Sequence, residues 1–391
     1  MSDDSDFDTP SVADLVSRAD RDLASGDVDG ALRCLAKATQ GRPDDPSIFL
    51  KLAGLQRARG GLTEALATVH QALALAPRDF TALLMRASLL QRLGQAGAGE
   101  AWVHALAQRP VGEMPAYLHG VVAEAEAQAG AWERQRDGRL AAAVAATVSQ
   151  ADADEAKRID RLRTNLTRRT RHYHSEPTRF HFPGLRELEF HPRRCFNWLE
   201  RLEAATGEIT DELTALLAAE RAELVPYVQY DDHVPMEQWR PLNRNPDWTA
   251  IHLLRNGAEV AANTKQCPKT MSVLRTIDQP RIPGASPNAM FSLLAPHTAI
   301  PPHVGINNAR LVCHLPLIVP EGCWFRVGAE TRHWQRGEAF VFDDTIEHEA
   351  LNPTDKLRVV LIIDVWHPDL SSIEQKAVAE LIGADIAAGA L

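Results

Sequence analysis

Two histidines and an arginine carry the strongest chemical pattern in this chain. His303 follows Pro301-Pro302, in what reads as a turn, and His348 follows the strand-like run Phe340-Val341-Phe342-Asp343-Asp344. They lie 45 residues apart, one before and one after a series of β-branched and aromatic runs. Two histidines so placed can meet on one metal, and imidazole suits Fe(II) with positions left open for substrate or O2. Arg358 comes ten residues after His348 and opens Val359-Val360-Leu361-Ile362-Ile363, a run apolar on both faces that reads as a central buried strand. A guanidinium there needs a counter-charge, because an unpaired charge in an apolar core is very costly. A carboxylate on a cosubstrate meets that need in bidentate geometry. The three residues together read as Fe(II) plus 2-oxoglutarate. Asp343, Asp344, Glu347 and Glu349 flank His348 and are expected to be solvated, or to orient the imidazole, rather than to bind the metal directly. His297, His333 and His367 read as structural.

The elements that must hold these residues fall in one part of the chain. Residues 171–391 hold 17 of the 23 aromatics, 18 of the 24 prolines and 12 of the 15 histidines, a composition of strands and loops. Strands are expected at Ile251–Arg255, Ser272–Ile277, Met290–Leu294, Arg310–Ile318, Cys323–Val327, Glu338–Phe342 and Leu357–Trp366. Many short strands between turn clusters such as Pro283-Gly284 and Pro320-Glu321-Gly322 argue for a sandwich or jelly roll. A last helix is expected from the capping-box pair Ser371 and Glu374 to about Gly383.

Residues 1–170 are Ala- and Leu-rich, which favours helices. Gly26, Gly60 and Gly94 recur every 34 residues; Ala31 and Ala65 repeat at 34 with Gly99 in the third place, as do Ala38 and Ala72. Pro43, Pro77 and Pro110 close the units. This resembles tetratricopeptide (TPR) repeats over residues 13–135, with a weaker unit around Tyr117 to Trp132. Glycine ends the first helix of each pair, small alanine lets the second approach it, and proline stops the second. Such stacks present a groove suited to a peptide or protein segment. The expected division is an acidic flexible tail at 1–12, repeats at 13–135, a helical linker at 136–175 and the strand-rich domain at 176–391.

The whole chain has 391 residues and a net charge of −10, which removes the usual electrostatic footprint of a nucleic-acid binder. The basic run Lys157 to Arg171 is expected to be a solvated helix face. Asp3, Asp4, Asp6 and Asp8 open the chain, unlike a secretory signal, and no apolar stretch is long enough to span a membrane. Five cysteines without a C-x-x-C pair suit a reducing cytoplasm.

The segments FSLLAPHTAIPPHVGINNARLVCHLPL, FDDTIEHEALNPTDKLR and DVWHP resemble the aspartyl/asparaginyl β-hydroxylase family, over about residues 180–375 and including Pro183-Gly184-Leu185 and Phe196-Asn197-Trp198-Leu199. The resemblance implies a double-stranded β-helix (jelly roll) behind helical repeats, in an α + β multidomain chain, and an Fe(II)/2-oxoglutarate-dependent oxygenase. It places the iron ligands on His303 and His348, and the cosubstrate on Arg358, Ser292 and His314. Trp248 falls beside the site. The place of a third carboxylate ligand is Gly305, as in that family, which implies two histidines plus water. Relatives can carry an arginine where Val312 stands; Arg310, two residues back on the same face, is the candidate replacement. The implied substrate is the β-carbon of Asp or Asn in a peptide or protein held by the repeats. Alternatives are a free or carrier-bound amino acid, a lipid acyl chain, or a non-catalytic adaptor with a degenerate oxygenase domain.

Overall fold

The repeating residues do what their spacing asks of them. In the computed structural model, which describes residues 10–41, 44–218, 224–231, 233 and 238–389, α1 (Val12–Ala24) and α2 (Val28–Gln40) are followed by α3 (Pro46–Ala58) with α4 (Leu62–Leu75), and α5 (Phe80–Arg92) with α6 (Ala98–Leu106). Gly26, Gly60 and Gly94 take φ of 83°, 84° and 66° in the turns between paired helices, a region costly for any residue with a Cβ. Ala31, Ala38, Ala65 and Ala72 are fully buried where the helices meet. In the third pair, a side chain on Gly99 would collide with the Trp132 indole, so glycine replaces alanine there. Pro43 and residues 1–9 lie outside the described residues.

The weaker unit around Tyr117 to Trp132 is part of one 33-residue helix, α7 (Ala116–Val148), and α8 (Ala153–Leu166) follows it from a capping box on Asp152 and Glu155. The chain divides into two compact units at Thr167/Arg168.

The second unit contains β1 (Phe190–His191), α9 (Leu199–Ala204), α10 (Thr206–Ala218), β2 (Val225–Pro226), β3 (Trp248–Arg255), β4 (Ala258–Glu259), α11 (Ala261–Thr264), α12 (Pro268–Leu274), β5 (Ala289–Leu294), β6 (Thr298–His303), β7 (Arg310–Ile318), β8 (Trp324–Val327), β9 (Glu330–His333), β10 (Phe340–Phe342), β11 (His348–Asn352), β12 (Arg358–Trp366) and α13 (Ser372–Ala387). The strands form two antiparallel sheets. The larger runs β1-β10-β7-β12-β5-β3-β2 with β4 on β3, and the smaller runs β6-β11-β8-β9. β12 lies between β7 and β5 and is buried on both faces, as its apolar run requires. Alternation divides the large sheet's side chains. Phe291, Leu311, Cys313, Leu361 and Ile363 pack with α9, α10 and α12. Met290, Leu294, Val312, Val360 and Ile362 face a second core shared with Ile300, Phe325, Val327 and Ala350 of the small sheet.

Four sequence expectations are corrected. Ser272–Ile277 is not a strand; Pro268 starts α12, which buries Thr270, Met271 and Leu274 at helical spacing. His303 ends a strand rather than sitting in a turn. Pro301 and Pro302 are accommodated because β6 is an edge strand, where a missing N–H costs no ladder bond. His348 opens β11. The last helix starts at the Ser371/Glu374 capping box but runs past Gly383 to Ala387.

Candidate active site

Pairing of the small sheet's strands brings the two histidines together. β6 and β11 run antiparallel with His303 opposite His348, and the ring centroids are 4.0 Å apart. Each ring is held the same way: His303 Nδ1 lies 2.8 Å from Pro301 O and His348 Nδ1 lies 3.1 Å from Ile346 O. A carbonyl two residues back accepts only from an N–H, so Nδ1 carries the proton and Nε2 keeps its lone pair. Burial pushes the His303 pKa down to about 3, helped by His348, and that of His348 down to about 4. Both imidazoles are therefore neutral at pH 7, the form that binds a metal. Among the described residues, no group of three or more His, Cys, Asp or Glu gathers as a metal-binding set.

The large sheet contributes the rest of the site from one face. Arg358 is 2% exposed, and its Nε has no partner. Its nearest polar contact is a long one, Nη1 to Ser292 O at 3.4 Å, and the guanidinium lies 4.8 Å from the Trp334 ring centroid. Among the described residues it has no carboxylate partner in the ion pairs found, and burial pushes its pKa down to about 10. Ser292, one strand over on β5, is buried and accepts the Trp248 Nε1 proton at 3.0 Å, which leaves its own proton free to donate. His314 on β7 is buried among Phe325, Phe342, Phe340 and Trp334; its Nδ1 is unpartnered, and burial holds its pKa well below the usual value. Trp248 stacks on Tyr227 with centroids 3.9 Å apart, and Trp239 meets the His303 ring edge-on at 4.9 Å.

Arg310 is spoken for. Its Nη2 donates to Asp344 Oδ2 at 2.8 Å and its Nη1 to Asp364 Oδ1 at 3.1 Å. Burial disfavours its charge, but the two carboxylates outweigh that and raise its pKa. Asp344 in turn fills the space a side chain on Gly305 would occupy. Its other oxygen, Oδ1, is buried and unpartnered, and burial raises its pKa. Sequence reasoning missed Tyr227, Trp239 and Trp334. All three come from short or irregular segments without a period to assign a face, although the alternation along β3 does place Trp248 inward.

Residues 203–368 match the family model described as aspartyl/asparaginyl beta-hydroxylase, and residues 22–89 match that of the tetratricopeptide repeat. The chain thus carries a domain of the aspartyl/asparaginyl β-hydroxylase family behind tetratricopeptide repeats. It is 30% identical over 211 residues to aspartate beta-hydroxylase domain-containing protein 2 of Xenopus tropicalis, covering 52% of this chain and 53% of that protein. It is 34% identical over 138 residues to human aspartyl/asparaginyl beta-hydroxylase, covering 35% of this chain and 18% of that one. It is 36% identical over 176 residues to an ornithine lipid ester-linked acyl 2-hydroxylase of Rhizobium tropici, covering 44% and 58%. The chain spans about half the length of the first of these relatives and less than a fifth of the second. The human and Rhizobium tropici relatives are named as hydroxylases.

Proposed function

We propose that the second unit is a jelly-roll oxygenase that uses Fe(II), 2-oxoglutarate and O2 to hydroxylate an unactivated carbon. The observation that carries this reading is the pairing of two neutral, Nδ1-anchored histidines with a buried arginine that has no carboxylate partner among the described residues. The residues present fit the implied groups. His303 and His348 would hold the metal through Nε2. Arg358 would take the far carboxylate of 2-oxoglutarate with Ser292 donating to it, and the unpartnered Nδ1 of His314 gives the cosubstrate a further hydrogen-bonding group. When bound, Fe(II) with 2-oxoglutarate and O2 supplies the oxidising power for the hydroxylation, with succinate and CO2 as coproducts. The chain's own residues orient and enclose. Trp248 fixes the Ser292 hydroxyl, Tyr227, Trp239 and Trp248 wall off the His303 side, and the aromatic cluster around His314 keeps water from the cosubstrate end.

For the substrate we propose an Asp or Asn side chain of a polypeptide, hydroxylated at the β-carbon, with the repeats raising its effective concentration at the iron in the cytoplasm. A second reading has its own support. The inner face of the large sheet beside the histidines is Met290, Val312, Val360 and Ile362, and Arg310 is committed to two aspartates. That lining favours an uncharged group such as Asn or an acyl chain over an Asp carboxylate. The test is anaerobic titration with Fe(II) and 2-oxoglutarate, then O2 addition and a succinate assay. Wild type is expected to bind both and turn over; equal binding by His303→Ala and Arg358→Ala would end the oxygenase reading, and leave the repeats as an adaptor. Mass spectrometry of captured peptides for one added oxygen atom then addresses the substrate.

A further inference from the structure

The ladder that joins the two histidines is irregular where they sit. His348 pairs with His303, but the next matched pair is Ala350 with Ile300, so the register shifts between them. At such a bulge the regular ladder is disrupted, and strand pairing alone specifies the spacing less tightly. Beyond the pair both chains leave the sheet, at 304–309 after His303 and at 343–347 before His348. One direct tie joins these segments, from the Gly305 N–H to Asp344 O at 2.6 Å.

A third segment, residues 171–182, crosses both. On the His348 side the Glu176 N–H donates to Thr345 O at 2.8 Å, Ser175 forms an antiparallel bridge with Ile346, and Arg171 pairs with Glu347 at 3.6 Å. On the His303 side the N–H groups of Thr178 and Arg179 donate to Gly305 O and Ile306 O at 3.0 and 3.1 Å. Phe182 and Asn308 then exchange two bonds, at 2.6 and 2.9 Å. Thr345 is the hub. It is fully buried, its hydroxyl donates to Asp343 Oδ1 at 2.5 Å, and it lies 2.6 Å from Ser175 Oγ.

We propose that segment 171–182 is a clamp that holds the two histidine-bearing chains at the spacing one metal ion needs, with Ser175 and Thr345 as positioning residues. The proposal rests on reading His303 and His348 as ligands of one ion. The direct partner of His348 Nδ1 is the carbonyl of Ile346, the neighbour of Thr345; losing such a direct partner typically costs about 10–100-fold in affinity, and the clamp hydroxyls, one step further out, are expected at the low end of that range.

The test uses the full chain and anaerobic Co(II) titration followed by visible absorbance, with melting of the metal-free protein measured in parallel. Thr345→Val and Ser175→Ala are expected to bind Co(II) about tenfold more weakly, and Thr345→Ser, which keeps the hydroxyl, to bind as wild type does. Ile209→Val, in α10 within an apolar cluster that includes no residue of 171–182, 304–309 or 343–347, lowers stability without touching the clamp and is expected to leave affinity unchanged. Ser175, which is only half-buried, carries the test if Thr345→Val fails to fold. Affinities of the clamp variants within twofold of wild type, or an equal loss in Ile209→Val, would overturn the clamp. No Co(II) binding by wild type, or equal binding by His303→Ala, would instead overturn the ligand reading and the clamp with it.

Discussion

Replacing Arg358 by methionine should make the ligand-free protein more stable and unable to bind 2-oxoglutarate. The guanidinium is buried in the strand at the centre of the large sheet, where desolvation lowers its pKa well below the ordinary arginine value, to about 10. At 1.36 kcal/mol per unit this is about 3 kcal/mol against the charged form at pH 7. Methionine has similar length and no charge to desolvate, but it gives up the contact with Trp334, which is of order 1 kcal/mol. The expected net gain is about 2 kcal/mol, or roughly 4–8 °C in the melting of a unit of this size. The effect should reverse on ligand addition. A charge-assisted bidentate pair is among the stronger polar contacts, so saturating 2-oxoglutarate added to the metal-loaded protein should stabilise wild type by about 2.7 kcal/mol at 100 Kd, and add nothing to the metal-loaded variant. The assay is anaerobic thermal unfolding of both proteins, with and without metal and 2-oxoglutarate. A variant that melts lower than wild type without ligand would show that the arginine is already satisfied within the fold. A variant that still responds to 2-oxoglutarate would show that the carboxylate goes elsewhere.

Acid should weaken the second unit more than the first. Burial pushes His191 and His303 down to about 3, and His252 and His348 to about 4. Below about pH 6.5 the unfolded chain takes up protons at these positions and the folded chain does not, so stability falls from pH 6.5 towards 4. Asp343, pushed up to about 7 by burial, acts in the opposite sense, because it is protonated first in the folded state. Asp344, also raised by burial, acts as Asp343 does, but the histidines, with His314 and His367 likewise lowered by burial, outnumber the two aspartates, and the metal-free urea midpoint of the second unit should drop between pH 7 and 4.5; a flat midpoint would contradict the burial argument. In the repeats, Gly60→Ala should cost about 1 kcal/mol although nothing lies within 4 Å of the added methyl, because the penalty comes from φ of 84° alone. Circular dichroism melts would show the loss in the helical transition, and an unchanged transition would mean that the turn relaxes.

What the residues disclosed in advance, and what they withheld, follows from the physics of each signal. The repeats were legible because a 34-residue period fixes the helix, turn and packing residue at once, and the glycine conformations and alanine burial agree with it. β12 was legible because four of its five consecutive apolar residues are β-branched, which suits a strand covered on both faces. β6 was hidden because Pro301-Pro302 reads as a turn, and only the sheet order shows that this strand lies at an edge and can carry prolines. Ser272–Ile277 was misassigned because a short apolar run has no period long enough to separate helix from strand. Among the site residues, His303, His348 and Arg358 had a charge or ligand argument behind them. Trp239 and Trp334 had none, since they reach the site through the path of loops rather than through any local pattern.

Gly305, Val312 and Arg310 make best sense as one substitution pattern rather than three. A carboxylate side chain at 305 would come from the strand that carries His303. Here that volume is taken by Asp344, which comes from the segment leading to His348 and is held by Arg310. Arg310 is anchored on its other side by Asp364, which also accepts from Ser286 Oγ and the Asn288 N–H, both at 2.8 Å. The glycine is therefore required by its neighbour: any larger residue at 305 would displace Asp344 and break the ion pair. Arg310 is likewise unable to stand in for a cation at 312, because releasing it would leave two buried carboxylates uncompensated, a loss of several kcal/mol. The placing of Asp344 beside the histidines and the commitment of the Arg310 guanidinium thus share one cause. The arginine that could have met a charged substrate is spent on holding Asp344 in place.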